Sequence, residues 1–126
     1  MSLNKETFVW EVVESMEVED LLIKQFDNSN ELLMIIDGSG LILRVNKIWY
    51  YVLGYKPEEM KGVEFWKFVS DEDVERTKEA FNNKTHVQKD FNNCYVNKEG
   101  KRVPLTWDKR VTTNKNTILA TAKIND

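Results

Sequence analysis

The sequence predicts an α+β domain built on one five-stranded antiparallel sheet, with short helices packed on one face and an amphipathic helix leading into it. Three observations predict this. Apolar runs at 32–36 and 41–45 flank an Asp37-Gly38-Ser39-Gly40 turn, the pattern of a β-hairpin. Residues 46–82 then carry several helix starts and stops in close succession. From 86 to 124 come three strand-like runs, broken by turns at 98–101 and 114–116. Helices grouped between two sets of strands favour α+β over alternating βαβ units.

The leading segment has its own charge and period. Residues 4–25 hold two lysines and six acids, which leaves sixteen basic and fifteen acidic residues for 26–126. Val9, Val12, Met16, Ile23 and Phe26 recur at steps of three and four, with Glu19 interrupting the series. Phe8, Trp10, Val13, Leu21 and Leu22 widen the apolar face. Twenty-two helical residues would extend about 33 Å. We read residues 1–26 as this helix and residues 27–126 as the domain. Two readings of the helix stand. It packs on its own domain, or it is shared between two protomers of a homodimer with Val9, Val12, Met16 and Ile23 as the seam. The width of the apolar face favours the second.

Asp27-Asn28-Ser29-Asn30 ends the helix. After the hairpin, Asn46 is placed to cap a helix carrying Ile48, Trp49, Val52 and Leu53, which Gly54 stops. Pro57 opens a short turn over 58–61, closed by Gly62. Ser70-Asp71-Glu72-Asp73 reads as a variant capping box for a helix through Val74, Thr77, Lys78 and Phe81. The same capping accounts for that acidic cluster without a metal ion. Strands are expected at about 86–97, 102–113 and 117–124. In the second of these, Val103, Leu105 and Trp107 would share the helix-facing side.

Composition narrows the chemistry. A length of 126 residues, 41% hydrophobic and 31% charged, describes one ordinary globular domain. One cysteine, Cys94, excludes a disulfide framework and a thiolate metal cluster, and one histidine, His86, excludes any site needing two imidazoles. A net charge of −3 argues against general nucleic-acid binding. No apolar run approaches the roughly 20 residues that span a bilayer, and the N-terminus lacks a signal-peptide layout. We expect no membrane contact by this segment. A lone cysteine fits a reducing compartment, so a cytoplasmic location is expected.

The order of elements, with Asp37, Gly40, Asn46, Gly54-Tyr55, Glu59, Gly62, Phe65, Trp66, Asp73, Gly100 and Trp107 at its joints, resembles a PAS domain of the sensory-box type from a prokaryotic signalling protein. The resemblance covers residues 27 to about 125. It departs at Lys56, where the family usually has a Ser or Thr cap. The end of the chain, 120–126, resembles the last PAS strand running into an Asp-Ile-Thr exit. The resemblance therefore implies a signal-sensing and dimerisation module, not itself an enzyme. Its output domain would lie outside this chain, either a histidine kinase of a two-component system or a GGDEF diguanylate cyclase. A ligand-free protein–protein interaction module is the alternative. A small enzyme ranks lower, because it would need at least two polar groups converging in a pocket.

PAS domains hold haem, flavin, a small acid or nothing between sheet and helices, so the residues must choose. His86 follows Asn82-Asn83-Lys84-Thr85 and reads as a loop histidine, which disfavours haem. No Asn-Cys-Arg-type motif occurs and Cys94 falls in a strand, which disfavours a photoreactive flavin. A non-covalent flavin or another small organic ligand stays open. Alternation in the third strand puts Phe91, Asn93 and Tyr95 on one face, and the resemblance places that face inward. Asn93 then needs a partner, from protein, water or ligand, whereas a register one residue out would put it outside. Ala120 and Ala122 on the last strand leave room that Trp49, Trp66 and Trp107 would line. Either the aromatics fill the space and Asn93 bonds to a helix backbone, or a small planar or acidic ligand occupies it.

Overall fold

The structure, a computed structural model, describes residues 26–82, 87–111 and 117–125. The seam residues Val9, Val12, Met16 and Ile23 lie outside the described residues, and so does His86. Residues 26–28 are helical and the chain leaves the helix at Ser29.

One antiparallel sheet follows, made of β1 (Leu32–Asp37), β2 (Ile42–Val45), β3 (Val87–Val96), β4 (Arg102–Val111) and β5 (Thr117–Ile124). Its order is β2-β1-β5-β4-β3. The last strand inserts between the two hairpins, setting Met34 opposite Ala120 and Trp107 opposite Ala122. Between β2 and β3 the chain crosses one face of the sheet. It forms α1 (Ile48–Leu53), α2 (Pro57–Met60), 3-10 turns at Phe65–Phe68 and Asp71–Asp73, and α3 (Val74–Asn82). The α+β architecture and the run of joints match the sequence reading.

The core lies between sheet and helices because the period-two pattern puts one apolar row of each strand there. Leu32, Met34 and Ile36 of β1 are buried, while Leu33 and Ile35 between them are half-buried. Leu105 and Trp107 of β4 and Ile118, Ala120 and Ala122 of β5 join them from the sheet. Trp49, Leu53, Met60, Phe65 and Phe68 cover them from the helical side. Each large side chain removed from water stabilises the fold by about 1.5–3 kcal/mol. Trp49 forms the centre, with ring centroids 5.4 Å from Tyr95 and 5.8 Å from Trp107, and its indole N–H donates to the Leu33 carbonyl at 2.9 Å.

Two capping expectations are corrected. Asn46 is not the cap of α1; that position falls to Lys47, whose side chain makes no capping bond. Asn46 is instead fully buried. Its Oδ1 accepts from the Leu33 N–H (3.0 Å), and its Nδ2 donates to the Phe26 (3.0 Å) and Glu31 (2.8 Å) carbonyls. A buried amide is stable only when its donors and acceptor are all engaged, and these three backbone groups engage them. Ser70 likewise makes no capping bond to the backbone. Its hydroxyl donates to Asp73, whose carboxylate reaches across to accept the Cys94 N–H of β3 at 2.8 Å. The turn at 70–73 is therefore stitched to the sheet, with the Ser70 N–H donating back to the Cys94 carbonyl at 2.8 Å. The missing Ser or Thr before Pro57 is offset by Glu59. Its carboxylate accepts the Lys56 N–H (2.8 Å) and the Lys98 ammonium (2.7 Å), tying α2 to the β3–β4 turn.

Candidate functional site

Where α3 crosses β3 and β4, the packing leaves a cavity of about 60 Å³. Met34 and Ile36 of β1 and Ala120 of β5 form its floor, with Phe65 and the α3 residues Thr77, Ala80 and Phe81 above. Phe91, Asn93 and Tyr95 of β3, with Trp107 and Lys109 of β4, complete the wall.

A bulge aims the β3 wall. Gln88 stands opposite Lys109 and Phe91 opposite Trp107, so two β3 residues face the single Asp108. Asp90 takes φ 59° there, and its N–H donates to the Asp108 carboxylate at 3.1 Å. An extra residue shifts every later side chain to the opposite face, which restores Phe91, Asn93 and Tyr95 to the interior.

The polar groups of the wall come from three elements. Asn93 is buried, with Nδ2 donating to Thr77 Oγ1 (3.2 Å) and Oδ1 accepting from Trp107 Nε1 (2.8 Å). Its partners are therefore two side chains rather than helix backbone. Burial pushes the Tyr95 phenol well above its ordinary value, so it stays a neutral O–H donor. Lys109 is 8% exposed, and its ammonium donates to the Ala80 and Phe81 carbonyls of the last turn of α3, both at 3.2 Å. Those carbonyls lie in the last described turn of α3, at the negative end of the helix dipole, which favours a cation. Burial lowers the pKa of Lys109 from its ordinary value.

The structure brings five of the eight expected ligand-site residues to this cavity: Phe91, Asn93, Tyr95, Trp107 and Ala120. Trp49, Trp66 and Ala122 lie elsewhere. Trp49 stands behind the wall, packed at a tilt against Tyr95 and Trp107. Trp66 leaves through the turn at Phe65–Phe68 and packs over Gly40, where φ is +96° and an added Cβ would come within 2.5 Å of the indole. The Lys78 ammonium covers that ring at 4.7 Å. Ala122 sits one inward step along β5, between Leu32 and Trp107.

Sequence reasoning missed Lys109, Thr77 and the α3 wall. The signal for Lys109 was present, because the inward series Val103, Leu105, Trp107 continues to 109. A lysine there reads as exposed, since lysines are almost never buried without partners. Among the described residues, no group of three or more His, Cys, Asp and Glu comes together to hold a metal ion. Among the same residues, no helix is long and apolar enough to cross a membrane.

Residues 30–120 match the PAS domain family model. No curated protein matches the chain. Among solved structures, the PAS domain of an HTR-like protein from Haloarcula marismortui is 22% identical, with a TM-score of 0.74 over 86% of this chain and 93% of that one. The PAS-B domain of Drosophila melanogaster Cycle with bound ethylene glycol is 18% identical, with a TM-score of 0.69 over 75% and 99%. The PAS domain of the Cronobacter turicensis RpfR quorum-sensing receptor in complex with C12:0 is 14% identical, with a TM-score of 0.67 over 79% and 97%. At these identities the likeness is one of fold.

Proposed function

The chain belongs to the PAS domain family, whose members are sensory, non-catalytic modules of signalling proteins, and from that premise we propose that it senses a small organic ligand held in the cavity beneath α3. One observation carries the reading. An otherwise apolar cavity is bordered by a hydrogen-bonding Asn93, a neutral Tyr95 phenol and a buried ammonium, a few polar groups that orient a ligand against an apolar wall. Two of the similar PAS domains carry small molecules, ethylene glycol in one and C12:0 in the other. The site residues we assign are Phe91, Asn93, Tyr95, Trp107 and Ala120, with Thr77 and Lys109 added. Residues 27–126 form the sensing domain in this reading, and residues 1–26 form the helix that pairs two protomers in a cytoplasmic homodimer. The output is a histidine kinase or a diguanylate cyclase joined to the module. Occupancy of the cavity would change the packing of α3 on the sheet.

A second reading is supported by the satisfaction of Asn93. Thr77 and Trp107 engage it without a ligand, as a purely protein-binding PAS module would require. Native mass spectrometry of freshly purified protein, with an absorption spectrum of the same sample, separates the two. A co-purifying small molecule, lost in a variant with Ala120→Leu, supports the sensor. Protein of bare mass with no added ligand bound across a panel of small acids and alcohols refutes it and favours the interaction module. The same spectra count protomers, and a monomer at high micromolar concentration would remove the shared helix.

A further inference from the structure

Most polar side chains that line the cavity are engaged within the protein. Asn93 donates to Thr77 and accepts from Trp107, and Lys109 donates to the Ala80 and Phe81 carbonyls. The Tyr95 phenol differs. Among the described residues no hydrogen bond engages it, and burial alone raises its pKa. Tyr95 is only 2% exposed. Yet among the described residues no fully enclosed side-chain nitrogen or oxygen lacks a partner. The phenol oxygen, having none, is therefore not enclosed and meets open space. Tyr95 points inward from β3 with Phe91 and Asn93, and the space it lines there is the cavity. A buried O–H without a hydrogen bond carries the desolvation cost of a polar group, which an entering acceptor recovers. Because burial keeps the phenol protonated, it offers a donor rather than a negative charge.

The wall around that donor is aromatic. Phe65 and Phe81 meet at 4.9 Å between ring centroids on the helical side, Tyr95 and Trp107 at 5.4 Å on the sheet, and Phe91 lines the space with them. Aromatic rings pack on one another offset or edge-to-face, and such contacts contribute beyond the area they bury. We propose that the cavity takes a small aromatic carbonyl compound, its ring packed among these side chains and its oxygen accepting from the Tyr95 phenol. This inference rests on reading the cavity as a ligand site. It makes Tyr95 the residue that selects for an acceptor oxygen, while the rings select for a flat apolar body. A hydrocarbon of the same shape makes the same ring contacts but leaves the phenol without an acceptor.

The test compares acetophenone with α-methylstyrene, in which a methylene group replaces the carbonyl oxygen on the same flat skeleton. Both are titrated by calorimetry into the full 126-residue chain and into Tyr95→Phe, which keeps the ring and deletes the hydroxyl. The ratio of the two affinities, compared between the two proteins, cancels each compound's own preference for water. That ratio should shift against acetophenone by about five-fold or more in Tyr95→Phe, the range of one net hydrogen bond. An unchanged ratio overturns the donor and leaves the cavity reading standing. The unliganded variant gives a second readout. Removing a hydroxyl that bonds to nothing should leave the unfolding midpoint level or raise it, whereas a fall of more than about 4 °C means that the protein engages the hydroxyl and overturns the proposal. Ala120→Leu, which fills the cavity floor, should abolish binding of both compounds, and retained binding would place them elsewhere and overturn it too. No binding of either compound to the unsubstituted chain also overturns it; if the panel of acids and alcohols is unbound as well, the cavity reading falls with it.

Discussion

Replacing Asn46 with alanine tests how the fold holds the chain that enters it. Asn46 is fully buried and spends its side chain on three backbone groups: the Leu33 N–H and the carbonyls of Phe26 and Glu31. Asn46→Ala deletes three hydrogen bonds at once, each worth about 1 kcal/mol net, for a loss of about 3 kcal/mol. At about 4 °C per kcal/mol for a domain of this size, the midpoint of thermal unfolding should fall by about 12 °C. Urea unfolding followed by circular dichroism measures the loss directly, with the slope unchanged if both states keep their surface. Asn46→Asp supplies the sign. The introduced carboxylate still accepts from Leu33 but faces two carbonyl oxygens, so its folded-state pKa must rise. A carboxyl with a raised folded pKa carries no penalty below its unfolded value, near 4, and the full penalty once pH has passed the folded value. Asn46→Asp should therefore be least stable at neutral pH and recover relative to Asn46→Ala as pH falls. A loss under about 1 kcal/mol for the alanine variant would refute the reasoning, since it would mean water replaces the amide without cost.

Further outcomes follow from other joints. Gly40→Ala meets both a φ of +96° and the Trp66 ring at 2.5 Å, so it should cost about 2–4 kcal/mol in urea unfolding and change tryptophan emission. An unshifted emission with a loss below about 1 kcal/mol would show that Trp66 does not rest there. Ala120→Leu fills the floor of the cavity and should abolish ligand uptake in native mass spectrometry while the midpoint changes by less than about 5 °C; retained uptake would place the ligand elsewhere. Asp37, Glu59 and Asp73 all have pKa values lowered from the ordinary carboxylate range. Asp37 is lowered by the Ser39 hydroxyl and the Leu41 N–H, and Glu59 by Lys98 and the Lys56 N–H. At Asp73 burial pulls upward, but the Cys94 N–H, Arg76 and Ser70 together outweigh it. Groups with lowered folded pKa values stabilise above their unfolded value, near 4, and lose that contribution as pH falls through the folded one. The unfolding midpoint should thus drop steeply below about pH 4, and Asp37→Asn, which keeps an acceptor oxygen in the turn, should flatten that limb; an unchanged limb would contradict the assignment of Asp37.

Legibility in the sequence tracked the range of the interaction involved. Every strand and every helix stop among the described residues was announced by its own neighbours, because period and positive φ are local properties. Gly40, Gly54, Gly62 and Gly100 all have positive φ where the chain must turn. Phe91, Asn93 and Tyr95 were legible as one face of a strand for the same reason, since alternation is local, whereas its inward direction came only from the resemblance. The errors fall where a polar side chain has a choice of partner. Asn46 and Ser70 carry the chemistry of helix caps, and nothing within a few residues says they will turn elsewhere. The groups that claim Asn46 lie 13 to 20 residues away, and the one that claims Asp73 lies 21 away.

The sequence by itself determined the layers, the strand count, the order of elements and the shortage of reactive side chains, because periodicity and composition are written along the chain. Tertiary structure alone decided which of the expected residues share a space. The bulge at Asp90 settled the facing of β3, the turn at Phe65–Phe68 carried Trp66 away to Gly40, and the crossing of α3 over β4 placed Lys109 at a helix end inside the cavity. Each of these depends on two segments meeting, and a buried ammonium becomes tolerable only once the carbonyls that receive it have been folded into place.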